Sequence, residues 1–342
     1  MTPRPSSVPV AGKPVSADKP TAAGTPVVAG EGAAARKPRG LAGDGMLLPF
    51  SPASPAERER MDAGFAELSR LGFRVAKGAS LTPEGYFAGS ITERRSEFLD
   101  ALNREDIGAL VGVRGGYGSN YLLDELQVTS PANSKIILGF SDLTSLQIYL
   151  WQRHCWVTFY GPMLAAGFEA GEGSARGYDR KSLLAALQNS ASGWQLNLQG
   201  EVMQAGEAQG RLLGGCLTLV ETTIGTQWEL DTAGAILVLE DRGMKPWQVD
   251  RALTHLQQAG KFGDLRGIVL GDFPECAAPV AGSPTVHDVC RRILAPLGVP
   301  VVFGAPFGHT DRPMLTLPLG IRARLSAKGE GVLEILEPAV VA

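Results

Sequence analysis

The chain has 342 residues, 44% of them hydrophobic, and a formal net charge of -3. That length suits about two domains of roughly 150 residues each, and so small a charge gives no footing for nucleic acid or an anionic membrane surface. No run approaches the ~20 apolar residues of a membrane helix, and Cys155, Cys216, Cys276 and Cys290 form no CxxC pair, so they read as buried hydrophobes in a reducing compartment, not as a zinc site or disulfide framework.

Residues 1–37 are rich in Pro, Ala, Gly, Ser and Thr, and no aromatic precedes Phe50. Such a segment cannot bury enough apolar surface to offset its ordering entropy, so a disordered tail is expected. It has no charged stretch followed by an apolar one, so no secretory signal is expected. Order is predicted from MLLPFSPASP, a short strand and a Ser/Pro turn. ERERMDAGFAELSRLGF has helical spacing, with Met61, Phe65, Leu68 and Leu71 on one face. FRVAKG is a short strand and RRSEFLDALNRED a second helix. IGALVGV and KIILGFS read as strands covered on both faces. SDLTSLQIYLWQR is a helix that Ser141 or Asp142 could cap.

Strand and helix alternate, which predicts a doubly wound parallel-sheet α/β domain over 38–168. The pattern weakens over 169–205, where DRKSLLAALQN is one short helix and the rest reads as connection. A second, smaller α/β domain is expected over 206–342. It contains RLLGGCLTLVETTIG (a Gly turn, then a helix), the strand AILVLED and the helix PWQVDRALTHLQQAG. GIVLGDF, the helix TVHDVCRRILAPLG and VPVVFGAPFGH follow, and LPLGIRARLSA and GVLEILEP finish as paired strands.

The stretch VGVRGGYGSNYLL, 111–123, runs from a strand through a glycine turn into a helix. Three readings of it stand open: a serine nucleophile, a phosphate cradle, or a purely structural turn. A sharp turn at a strand's carboxyl end can present a serine to the crevice where α/β folds bind ligands. The helix start then offers free N–H groups to an oxyanion, with Asn120 and Gly116 as candidate donors. The pattern is neither GxSxG, nor a Walker loop, nor GxGxxG.

A serine needs a base at neutral pH. His154, His255 and His287 fall within or near helices and read as packing or solvated side chains. His309 lies in APFGHTDRP, a loop after a buried strand, where binding residues concentrate. Glu240, closing AILVLE, could orient it or simply point at water. Ser119, Glu240 and His309 all sit at strand ends that can converge on a cleft between domains. Arg114 could read a terminal carboxylate, or pair with an acid such as Asp142.

From about Arg39 to the C-terminus the chain resembles the serine LD-carboxypeptidase family, which includes muropeptide LD-carboxypeptidase and the microcin C immunity peptidase. The resemblance rests on SPASP, VRGGYGSNYLL, GFSDLTSL, GGCLTLVETTIGT, ILVLED, VDRALTHLQQAGKF, GIVLGDF and PFGHT followed by LTLPLG, in that order. It implies a Ser-Glu-His triad at Ser119, Glu240 and His309, with the site between two α/β domains. It also implies no metal or other cofactor, a homodimer, and a murein tetrapeptide as substrate. In that reaction the terminal D-alanine leaves the L-centre of a diamino acid during cytoplasmic cell-wall recycling. The immunity branch implies instead an aminoacyl-nucleotide antibiotic. A two-lobed small-ligand binding protein is a third reading. Thr310 stands where the family often has glycine, and Cys216 where its GGN form has asparagine; both bear on substrate choice.

Overall fold

The computed structural model describes residues 29, 32–41, 45–79, 81–124, 126, 134–188 and 191–342. The first half contains β1 (Met46–Phe50), α1 (Arg58–Arg70), β2 (Arg74–Val75), α2 (Ile91–Asn103), β3 (Ile107–Gly112), α3 (Asn120–Leu123), β4 (Ile136–Gly139), α4 (Thr144–His154), β5 (Thr158–Tyr160) and α5 (Arg180–Gln188). There follow β6 (Trp194–Asn197), β7 (Glu201–Gln204), β8 (Gly206–Cys216), α6 (Leu217–Thr222), β9 (Ala235–Glu240), α7 (Pro246–Gln258), β10 (Gly267–Leu270), α8 (Val286–Leu294), β11 (Val301–Phe303), β12 (Leu317–Leu319), β13 (Arg322–Ala327) and β14 (Val332–Ile335). Among the described residues no helix is long and apolar enough to cross a membrane.

Two sheets result. The first has the order β12-β5-β4-β3-β1-β2 and is parallel except for β12, which returns antiparallel to β5. The second has the order β6-β14-β13-β8-β9-β10-β11-β7, with β8 to β11 parallel and antiparallel strands on both flanks. The chain is thus mixed α/β, with a parallel sheet in its N-terminal region and a second sheet domain. The near-continuous apolar runs of β4, β9 and β10 are buried along their whole length, as strands covered on both faces require. On α1, Leu68 is fully buried, and Met61, Phe65 and Leu71 pack partly buried on the same core.

The halves share packing. One hydrophobic cluster joins Leu110, Leu138 and Phe159 of the first sheet to Leu212, Val238 and Val302 of the second. Helix α4 lies at the seam, touching β5 on one side and α6 and β8 on the other. It is buried from Thr144 to Gln152, which is why its apolar residues are not confined to one stripe.

Three features differ from the sequence reading. The segment 169–205 supplies β6 and β7 as edge strands of the second sheet. They are short and half exposed, so their alternation carries little signal. RLLGGC is not a turn but the end of the eleven-residue strand β8, with its glycines inside the ladder against β9. Most of the expected tail lies outside the described residues, but its stated end at 37 falls within chain that is already docked. Arg36 donates its amide to Cys155 and accepts from Val157, and Lys37 pairs with Glu337 at 2.7 Å. Backbone pairing holds this stretch, and composition does not report backbone pairing.

Candidate active site

Glu240 closes β9, where the parallel ladder ends opposite Cys216. Its carboxylate is completely buried, so it must be satisfied by protein groups. Oε2 accepts from Nδ1 of His309 at 2.8 Å and from the His309 backbone N–H at 2.9 Å. Oε1 accepts from the hydroxyl of Tyr160, the last residue of β5, at 2.5 Å. Burial alone would push this carboxyl up, but the charge and hydrogen bonds of His309, with the Tyr160 bond, hold it below the usual range. Burial pushes His309 down, and the Glu240 charge and hydrogen bond outweigh this and raise it. Gly308 makes the close approach possible. Its φ is +63°, and an added Cβ would overlap the Glu240 carboxyl carbon.

Ser119 follows the turn that leaves β3 and begins α3. Its side chain is buried, and its hydroxyl donates to the Asp142 carbonyl at 2.5 Å. The Asp142 carboxylate accepts from the amides of Ser119 at 2.8 Å and Gly118 at 3.3 Å. The Tyr117 amide goes to Ser54 Oγ at 3.1 Å. The amides of Gly116 and Asn120 are held by neither Ser54 nor Asp142.

The structure therefore joins Glu240 to His309. Among the described residues no hydrogen bond links Ser119 to His309, because the hydroxyl is turned to Asp142. One segment after β4 reaches both groups: Asp142 holds the Ser119 turn, and the Phe140 ring stands edge-on to His309 at 5.1 Å. The Ser141 amide, between them, donates to the same Tyr160 hydroxyl that serves Glu240.

Beside His309 lies a cavity of about 230 Å³ lined also by Phe140, Gly308, Thr310 and Arg242. Its rim carries ion pairs Arg60–Glu169, Arg242–Glu275 and Arg176–Asp311, the last at 2.8 Å. Guanidinium groups so placed can receive a carboxylate by exchange.

Several sequence candidates fall elsewhere. Arg114 is exposed and donates to the Pro55 carbonyl at 3.1 Å instead of pairing with Asp142. Asp142 caps no helix with its side chain. His154 is packed between Tyr149 and Trp156, and burial pushes it down to about 4. His255 and His287 pair with Glu221 and Glu201, each at 3.0 Å. Thr310 turns its hydroxyl to Asp272, and the Cys216 thiol faces Asp241 at 3.5 Å. Sequence reasoning passed over Tyr160 and Phe140, and gave Asp142 only the roles of a helix cap or a partner for Arg114. All three lie at or just beyond the carboxyl ends of β4 and β5, so the strand-end rule that selected Ser119 and Glu240 would have found them.

The chain is an α/β protein of two sheets, with a turn-borne serine on one and a buried acid–histidine pair on the other. The chain belongs to the LD-carboxypeptidase family: its N-terminal domain model matches residues 49–161 and its C-terminal domain model residues 209–325. A Bacillus subtilis protein named a probable murein peptide carboxypeptidase is 30% identical over 304 residues, covering 87% of this chain and 94% of that one. The murein tetrapeptide carboxypeptidase of Pseudomonas aeruginosa is 28% identical over 276 residues, covering 78% and 88%. A solved structure of MccF in complex with glutamyl sulfamoyl guanosine superposes with a TM-score of 0.80 at 25% identity, covering 89% of this chain and 99% of that one. The resemblance read from the sequence blocks thus holds, and it sets the chain among carboxypeptidase relatives.

Proposed function

We propose that the protein is a serine carboxypeptidase that removes the terminal D-alanine of a murein tetrapeptide by cleaving the bond from the L-diamino acid. The observation that carries this reading is the buried pair of Glu240, closing β9, and His309, in the loop after β11, with the Ser119 turn in the loop after β3 of the other sheet. In the reaction the Ser119 hydroxyl swings from the Asp142 carbonyl toward Nε2 of His309, which takes its proton as Oγ attacks the scissile carbonyl. Glu240 holds the Nδ1–H tautomer and stabilises the imidazolium. The amides of Gly116 and Asn120 receive the oxyanion, each such donor being worth roughly 2.7–4 kcal/mol. His309 returns the proton to the leaving D-alanine amine, and water then hydrolyses the acyl-enzyme. No cofactor enters this scheme.

The names of the murein relatives support the peptide substrate. The MccF complex supports a second reading, an aminoacyl-nucleotide amide cleaved by the same groups. A cytoplasmic homodimer is the setting we propose, and the four buried, free cysteines suit a reducing compartment.

Mass spectrometry of a murein tetrapeptide after incubation tests the reading, with Ser119→Ala and a chelator-treated sample in parallel. Loss of one alanine by wild type alone, with or without chelator, is expected. The substitution removes one hydrogen bond, about 1 kcal/mol, so the variant should stay folded. Alanine release by folded Ser119→Ala at the wild-type rate would overturn the mechanism. A folded wild type inactive on the peptide would favour the aminoacyl-nucleotide.

A further inference from the structure

The peptide unit that leads into Ser119 is gripped at both ends by buried groups of opposite charge. Arg94, on α2, is completely buried. Its Nη1 donates to the carbonyl of Gly118 at 2.8 Å and to that of Pro52 at 2.5 Å, and its Nε donates to Gly89 at 3.0 Å. Three loops meet on one guanidinium. At the other end of the same peptide, the Ser119 N–H donates to the Asp142 carboxylate. The carbonyl of the 118–119 peptide therefore faces a cation and its N–H an anion. Turning that peptide would break both contacts.

Gly118 needs such restraint. Its φ of +128° is a conformation other residues rarely adopt, and glycine also leaves it most easily. The peptide plane sets where the Cα–Cβ bond of Ser119 points, and hence where Oγ can reach. Occupation of the Ser119 amide by Asp142 also leaves the oxyanion to the neighbouring amides.

Stability alone is a poor account of the arrangement. The second Arg94 nitrogen, Nη2, is buried with no hydrogen-bond partner among the described residues, which costs stability. Buried charges are weak contributors to stability even when paired.

We propose that Arg94 and Asp142 are positioning residues for the nucleophile, a two-ended charge clamp on the Gly118–Ser119 peptide. This rests on the reading of Ser119 as the nucleophile. The test labels Ser119 with a fluorophosphonate, a reagent for activated serines that needs no peptide substrate, alongside alanine release and thermal melting. Arg94→Met, Arg94→Lys, Asp142→Asn and the double variant Arg94→Met/Asp142→Asn are compared. Arg94→Met and Asp142→Asn should each lower kcat and the labelling rate together by about 10- to 100-fold, with KM within about twofold. The double variant should be no worse than the worse single one, because the clamp is lost once either end goes. Arg94→Lys keeps the charge without the planar fork and should recover part of the rate. Wild-type labelling of the single variants, or losses that multiply in the double variant and follow melting temperature, would overturn the clamp. If Arg94→Met does not fold, Asp142→Asn and Arg94→Lys decide by the same comparison. A wild type that resists the label overturns Ser119 as the nucleophile and the clamp with it. A wild type that labels at Ser119 yet releases no alanine overturns only the peptide substrate, and labelling then judges the clamp.

Discussion

Replacing Glu240 by Gln separates the charge at the centre of the site from its shape. Oε2 accepts two bonds from His309 and Oε1 one from Tyr160. A glutamine can keep its oxygen toward His309 and turn its NH2 toward the Tyr160 oxygen. What it cannot do is stabilise an imidazolium by charge. Substitutions of this kind in a triad cost about 10⁴ in kcat, or about 5 kcal/mol at 1.36 kcal/mol per tenfold. The pH dependence should change in a definite direction. His309 must be neutral to accept a proton, and its pKa is raised above 6.5 by Glu240. On the proposed mechanism the acid limb of kcat/KM in the wild type should therefore lie above 6.5. In Glu240→Gln burial, the largest influence, pushes His309 down and outweighs the nearby Asp241 charge that still raises it, so the lower plateau is reached at lower pH.

Stability should follow the same pair. The raised His309 contributes stability that is full below its unfolded value of 6.5 and is lost as pH rises through its folded value. The depressed Glu240 contributes stability above its unfolded value of 4.5 that is lost as pH falls through its folded value. The pair thus supports the fold most between 4.5 and 6.5. Glu240→Gln should remove the wild-type fall on either side of that interval, and with burial now holding His309 down its melting temperature should decline as pH drops below 6.5. Alanine release measured from about pH 5 to 9, with melts at each pH, checks all three expectations. An acid limb that stays put or moves up, or a rate within about threefold of wild type, would refute the reasoning.

Other expectations follow from single contacts. Tyr160→Phe leaves Glu240 Oε1 and the Ser141 amide without their shared partner; denaturant melts should show a loss of about 1.5–3 kcal/mol, with the Glu240 carboxyl raised. Gly118→Ala forces a Cβ to within 2.6 Å of the Phe87 ring at a φ of +128°; it should cost about 1–3 kcal/mol and slow labelling of Ser119. Glu97 is raised to about 7 by burial, opposed by the Ser51 and Ala79 amides. A carboxyl raised in the folded state favours folding at low pH, so this contribution falls away as pH climbs from 4.5 through about 7. Glu97→Gln should remove that fall, worth up to about 3 kcal/mol at 1.36 kcal/mol per pH unit, and urea titrations across the range would show it.

How far the sequence led depends on what each feature leaves in it. The apolar runs of β3, β4, β9 and β10 mark buried parallel strands directly, and alternation with α1, α2 and α7 gives the layered α/β form. Strand ends then single out Ser119, Glu240 and His309. The edge strands β6 and β7 leave little, because a strand exposed on one side needs few apolar residues. β8 was hidden by Gly214 and Gly215, which read as a turn yet lie in the ladder beside Val238 and Leu239. Asp142 was misread for another reason. Next to a helix, an aspartate looks like a cap, and nothing local says that its carboxylate reaches across to residues 118 and 119.

On the proposed mechanism, with Glu240 and His309 on one sheet and the Ser119 turn on the other, the seam becomes part of the chemistry. Tyr160 ends a strand of the first sheet yet donates to Glu240 at the end of a strand of the second. Phe140 packs on His309, and Asp142, two residues on, secures Ser119. Sliding one sheet against the other would therefore disturb the Tyr160–Glu240 bond and the Phe140–His309 contact together. The shared core of Leu138, Phe159, Val238 and Val302 resists such sliding, since close-packed interiors transmit strain. The polar contacts alone are too few to fix the two sheets to the tolerance that proton transfer needs. Packing across the seam sets the distance between them, and the few polar bonds set the directions of Glu240, His309 and Ser119.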